Sequence, residues 1–395
     1  MGRLAIALMC ALAAACSRPG SPSALSRTDA AFQAQLQEQI IGAHPGTVIQ
    51  IPPGTHPLEH ALTVRANGVT LRGAGADRSI LMFKGSPAAP AGILVQGDGF
   101  AIDGIAIEDS TGDALAIAGE NIIIHAVRVA WTGGPNSDNG AYGIRVEAAR
   151  NVLIEDCAAY SASGAGIYVK QSVNVIVRRC HLEQSLSGIT ISDTAGADIQ
   201  GNIVTGNSAG ILIVSSPGPT HGVSSARIFG NKLYKNNLPS FAAAGSALAS
   251  VPTGTGVVVN SAGQVEIFDN DIADNQTANI MISAYLFAAR GNNDGYSRSI
   301  FIYGNRFAGG GYAPVPAHLK ALRAARFGST GRLPDIVWDG YHGDGSSAQQ
   351  RICIDNADAT VLDADAPHAY QNPNPDPTPF HCQLPKLPGV SHTAN

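Results

Sequence analysis

Charge is scarce in this chain. Asp, Glu, Lys and Arg make up 14% of its 395 residues and sum to −5 at pH 7, with a pI near 6.1. That balance excludes the electrostatic footprint of a nucleic-acid binder. It also argues against a strongly polyanionic ligand, unless a local basic patch overrides the net value. GxSxG, a Walker loop, HExxH and CxxCH are all missing, so no motif points to a serine hydrolase, an NTPase, a zinc protease or covalent haem. Any haem chemistry would belong to a partner. What is plentiful is apolar sequence, at 45%, together with 45 glycines. That combination suits many short buried strands joined by tight turns and excludes a disordered chain.

The first residues read as a leader rather than part of the fold. Leu4 to Ala15 is an apolar run too short to span a bilayer, preceded by Arg3. Leu12-Ala-Ala-Ala-Cys16 resembles a lipobox with its Leu one place early, which makes residues 1–16 a lipoprotein-type signal and Cys16 the lipidated residue. The alternative is an ordinary secretory signal cleaved near Ala15. Residues 17–27 form a Pro/Ser linker. The expected location is the periplasm or cell surface, with membrane contact only through an outer-membrane lipid anchor. Export implies an oxidising compartment, where Cys353 and Cys382 are expected to form a disulfide.

A repeat organises the rest. Gly92-Ile-Leu-Val, Gly143-Ile-Arg-Val, Gly166-Ile-Tyr-Val, Gly188-Ile-Thr-Ile, Gly210-Ile-Leu-Ile and Gly256-Val-Val-Val recur, with Ala114-Leu-Ala-Ile and Asn279-Ile-Met-Ile filling the remaining places. The unit is 22 or 23 residues, lengthened by insertions. Alternation within each tetrad is two-residue, as strands require. A second strand follows (Val152-Leu-Ile, Val175-Ile-Val, Val265-Glu-Ile), and then a third around Leu182, Val204, Leu233 and Ile272. Three strands per unit make one coil of an all-β, right-handed parallel β-helix, pairing coil to coil at about 4.8 Å. The solenoid is expected over 28–312. Phe32, Leu36 and Ile40 form a helical cap at its start, and an irregular cap follows over 313–395, with a helix near Pro316 to Phe327.

Stacking equivalent positions predicts an inward ladder of Asn202, Asn231, Asn270 and Asn305, each amide bonding to the next coil. Cys157 and Cys180 occupy the same column two coils earlier. They read as buried thiols packing like small hydrophobes, with a metal site as the alternative.

Insertions mark where a site could lie. Residues 131–141 and 236–253 precede first strands, and 215–224 and 284–297 follow them, so all four would wall a groove over the first-strand face. Its floor is expected to carry Arg145 and Glu147, Tyr168 and Lys170, then Thr190, Ser192 and Asp193. Asn136, Asp138 and His221 would hang on the walls. Cations, a phenol and carboxylates within two coils suit a polysaccharide, including a uronate. Arg145 would then neutralise the sugar carboxylate while Lys170 acts as base and Tyr168 as acid, in a lyase or epimerase reaction. The alternative is a solvated face on which Glu147 and Lys170 simply pair. No metal site is assigned. Asp355, Asp358, Asp363 and Asp365 form an acidic stretch that could hold Ca²⁺, although it lacks the glycine and spacing of a calcium loop. His125, Glu155, Arg178 and Arg179 read as surface charges stacked between coils.

Asn139-Gly-Ala-Tyr-Gly-Ile, Ala165-Gly-Ile-Tyr-Val-Lys-Gln-Ser, Phe241-Ala-Ala-Ala-Gly and Val251-Pro-Thr-Gly-Thr-Gly resemble segments of the exported bacterial parallel β-helix repeat family. Members usually carry Gly in place of Lys170 and a more acidic version of Gly188-Ile-Thr-Ile-Ser-Asp. The resemblance implies signal or lipoprotein sequences, a right-handed β-helix and no established activity. It also implies an exported protein partner, a dihaem c-type cytochrome. More distantly, the coil pattern looks like that of pectate lyases, alginate lyases, epimerases and copper-site accessory proteins. The Asp-Pro-His-Asp signature of mannuronan epimerases is absent. Two readings therefore stand beside a purely structural one. The first is polysaccharide binding, with or without turnover, in the groove. The second is an accessory lipoprotein that docks a protein on an exposed apolar strip of Leu212, Val214 and Val258, together with the apolar loop Phe241 to Val251.

Overall fold

Three strands per coil become three parallel sheets. The computed structural model describes residues 27–216, 224–243, 247–285, 295–342 and 351–392. Among them, sheet I collects the Gly-Ile-x-Val strands, such as Tyr142–Glu147, Ala165–Lys170, Ser187–Ser192, Ala209–Val214, Thr255–Asn260 and Ala278–Ser283. Sheet II collects Arg150–Glu155, Val173–Arg178 and their equivalents, and sheet III the three-residue strands such as His181–Glu183. Sheets I and II have eleven strands each and sheet III ten, all parallel and all paired one coil apart. Parallel strands linked this way take the right-handed crossover. The interior is a column of aliphatic side chains: Ile144, Ile167, Ile189, Ile211, Val257 and Ile280 stack in register at 0% exposure.

The glycine that opens each tetrad has a steric cause. At the corner between sheets III and I the backbone swings against the opposite strands. A Cβ on Gly256 would sit 2.7 Å from Ile272 Cγ2, and one on Gly188 would collide with Val204. These glycines are selected for close approach rather than for a left-handed backbone.

At the corner between sheets II and III, Asn202, Asn231, Asn270 and Asn305 form the expected ladder. Asn202 Nδ2 donates to Asn231 Oδ1 at 2.9 Å and to Val177 O at 3.0 Å, and the pattern repeats through Asn305 to Asn356, one coil farther than expected. Cys180 N donates to Asn202 Oδ1 at 2.9 Å, so the buried, unbridged thiols of Cys180 and Cys157 continue the column. Burial pushes the Cys180 thiol well above its ordinary pKa. A second ladder, Asn207 to Asn236 to Asn275, runs five residues later at the next corner, with amide bonds of 3.1 and 3.2 Å.

Both ends are closed. Helix α1, Arg27–Ile41, buries Leu36 and Ile40 against the first coil and stacks Phe32 on His56. Beyond residue 312 the stack itself continues: Ile336–Trp338 and Val361–Asp363 extend sheet I, and Ile352–Asp355 extends sheet II. Helix α2, Ala317–Phe327, lays Leu319 and Leu322 over Met281 and Val337 on the outward face of sheet I. Cys353 is disulfide-bonded to Cys382. From there the tail crosses sheet II: Lys386 Nζ lies 4.9 Å over Tyr303, and Val390 N donates to Asp198 Oδ2 at 3.1 Å.

Candidate functional site

Register decides which outward side chains meet. Arg145 pairs with Tyr168 and Tyr168 with Thr190, while Glu147 pairs with Lys170 and Lys170 with Ser192. The expected floor is therefore assembled on one face. Arg145 Nη1 lies 3.1 Å from Glu147 Oε2, and Lys170 Nζ lies 3.3 Å from Glu147 Oε1. A residue not anticipated from sequence completes the network: Arg145 Nε is 2.7 Å from Asp113 Oδ2, one coil earlier. Asp113 is 7% exposed. Burial raises its pKa against the opposing pull of Arg145 and of the Tyr142 N–H, which donates to Oδ1 at 3.0 Å. The signal for it was positional, because Asp113 stands immediately before the Ala114 tetrad.

Tyr142 was also missed as a site residue. It precedes Gly143, where the chain bends out of alternation and throws the ring outward. That ring stacks on Tyr168 with centroids 4.1 Å apart and planes 7° from parallel. Burial raises both phenols, Tyr142 to about 12. Both are therefore neutral hydrogen-bonding groups at ordinary pH.

Thr190 shares a 2.7 Å hydrogen bond with Ser187 at the cleft floor. Asp193 is 6% exposed and turned to structural use: its Oδ1 accepts the Ser216 N–H at 2.6 Å and its Oδ2 the Ser192 hydroxyl at 3.0 Å. It pins the wall that follows Val214. Asn136 and Asp138 bond to each other within their own exposed loop. His221 and Cys16 lie outside the described residues.

Tyr142, Tyr168, Ser187, Thr190 and Ser192 open into a cleft of about 350 Å³, which runs on to Leu212, Val214, Val251, Pro252, Val258 and Tyr285. The loop carrying Val251 edges this cleft and leaves the Arg145–Lys170 end open, where those two side chains are 28% and 31% exposed. The expected exposed apolar strip is reduced to the partly exposed Val214 and Val251. Leu212 and Val258 are only 5% and 2% exposed, because Val251 of the same chain packs on them.

The other candidates disperse. No three of Asp355, Asp358, Asp363 and Asp365 bring carboxylate oxygens together. Asp355 instead accepts from Gln383 at 2.7 Å, and Asp365 binds His368 at 2.6 Å. Among the described residues, the group with metal-ligand proximity is His125, Glu155 and Asp156 on sheet II. Arg178 and Arg179 already hold both of its carboxylates at 2.7 Å.

Comparison with known proteins agrees with this architecture. A family model described as a right-handed β-helix region matches residues 67–221. No curated protein matches the chain in sequence. Among solved structures, it is similar to the A-module of the Azotobacter vinelandii mannuronan C-5 epimerase AlgE4, with a TM-score of 0.54 and 14% identity over 80% of this chain and 78% of that one. The A-module of AlgE6 from the same organism gives 0.50 and 15%, over 84% and 90%. At such identities the likeness is one of fold. The chain therefore has the right-handed parallel β-helix fold, and a stretch of it matches the family model of that region.

Proposed function

We propose that this protein binds a polysaccharide along the groove over sheet I, with the chain lying parallel to the solenoid axis. The observation that carries the reading is the Tyr142–Tyr168 stack beside the Asp113–Arg145–Glu147–Lys170 network at an open cleft mouth. Tyrosines offer apolar faces with polar tips, and a fixed ion-pair network offers paired donors and acceptors. Together these suit hydroxyl-rich rings. The epimerase titles of the structural neighbours lend support at the level of fold.

The charge balance chooses among polysaccharides. Arg145 and Lys170 face Asp113 and Glu147, so each cation already has a carboxylate partner. A uronate would have to displace one of them, and the lyase or epimerase roles sketched for Arg145 and Lys170 start from groups already engaged. The groove therefore favours a neutral glycan and acts as a recognition site.

The test is a binding panel of neutral glycans beside alginate and pectate, also monitored for unsaturated uronate products. Binding to a neutral chain is expected, weakened about three- to tenfold in Tyr168→Ala by loss of the stacking surface. Binding unchanged in that variant, or absent across the panel, defeats the reading. Release of unsaturated products would replace recognition with lyase chemistry. We also propose export and lipid anchoring through Cys16. The Cys353–Cys382 bond supports this, since such bonds persist in oxidising compartments. Mass spectrometry of the mature protein checks it through the acyl groups on Cys16.

A further inference from the structure

The outward face of sheet I changes chemistry along the axis. In register, one column runs Arg145, Tyr168, Thr190, Leu212, Val258, and its neighbour runs Glu147, Lys170, Ser192, Val214, Asn260. Two charged coils give way to a hydroxyl-bearing one and then to apolar ones. Val251 reaches over from its loop and packs on Leu212 and Val258, yet all three still line the inner end of the cleft with Val214 and Pro252. The chain thus keeps an apolar recess at one end of a polar groove.

An unsubstituted sugar ring fits that recess badly. Its hydroxyls would face aliphatic walls and lose water without gaining partners. The border of the recess is polar. Ser187 and Thr190 share one hydrogen bond, and Asn260 Nδ2 donates to Ser283 Oγ at 2.9 Å. Asn260 Oδ1 is buried with no hydrogen-bond partner among the described residues. A group with a polar link and an apolar end matches this border and this recess together.

We propose that the glycan bound in the groove carries acyl groups on its sugars, and that Leu212, Val214, Val251 and Val258 form the acyl subsite. This rests on the polysaccharide reading and adds the substituent to it. An N-acyl link brings an N–H suited to Asn260 Oδ1, whereas an O-acyl link brings only the carbonyl and the apolar end.

Calorimetry on the full chain with matched pairs tests the proposal: N-acetylglucosamine tetramer against cellotetraose, and O-acetylated xylotetraose against xylotetraose. At least one acylated member is expected to bind about tenfold tighter than its twin. Preference in the first pair assigns the N-acyl link, and preference in the second the O-acyl link. Val251→Asp, placed on the covering loop and outside the coil stack, should abolish the preference while the unacylated twin still binds. Tyr168→Ala should weaken both members alike. Equal affinity within both pairs overturns the acyl subsite and leaves the polysaccharide reading intact. Preference surviving Val251→Asp overturns the placement. Absence of binding to any glycan removes the polysaccharide reading, and this inference with it.

Discussion

Single residues in this protein are explained by their neighbours one coil away. Asn231 accepts from both the backbone and the side chain of Asn202 at 2.9 Å and donates to Ile199 O and Asn270 Oδ1. Asn231→Ala strands buried donors and acceptors on both sides, so urea unfolding should show a loss of about 2–4 kcal/mol. Cys180→Ala, which removes only a small buried thiol from the same column, should lose less than half as much. Equal losses would refute the ladder's role. Asp339 is raised by burial from 3.8 to about 6, although Ala284 N at 2.7 Å and Tyr341 N at 3.0 Å favour its charged form. The folded state holds that proton more tightly than the unfolded chain. The contribution is therefore full below pH 3.8 and lost as pH rises to about 6. Relative to Asp339→Asn, the native protein should lose on the order of 2–3 kcal/mol across that window. Parallel stability curves for the two proteins would contradict it.

Elements follow from the same repeat. The tetrad was readable because an inward aliphatic column demands alternation, and its glycine because the corner has no room for a side chain. Gly188→Ala drives a Cβ into Val204 and should cost about 1–3 kcal/mol in thermal or urea unfolding. Gly133→Ala has open space and serves as the control, so equal effects would remove the steric explanation. The candidate site was readable only in part. Arg145, Glu147, Tyr168 and Lys170 could be placed together because register follows from a 23-residue step between Gly143 and Gly166. Asp113 was hidden by the insertion at 131–141, which breaks that step. Tyr142 was hidden because two-residue alternation assigns it inward until the bend at Gly143 turns it out. The fate of Leu212 and Val258 depends on where an irregular loop folds back, and no periodicity encodes that.

At the scale of the whole molecule, the outer faces of sheets I and II are covered unevenly along the stack. Sheet II is crossed by the tail: Arg227 bridges Asp198 and Glu266 at 3.4 and 3.8 Å, with Val390 N bonded to Asp198. The later coils of sheet I are covered by α2 over Met281 and by Val251 over Leu212 and Val258. What stays open of sheet I is its earlier part, where the stacked tyrosines and the ion-pair network lie. Within sheet I the uneven covering marks which coils the proposed groove can use, and the repeat alone could not have done so. Hydrogen exchange with and without a bound neutral glycan tests this most directly. The expected result is new protection confined to 142–147, 165–170 and 187–192, with sheet II and the tail unchanged. Protection appearing on 383–392 or along sheet II instead would contradict the account.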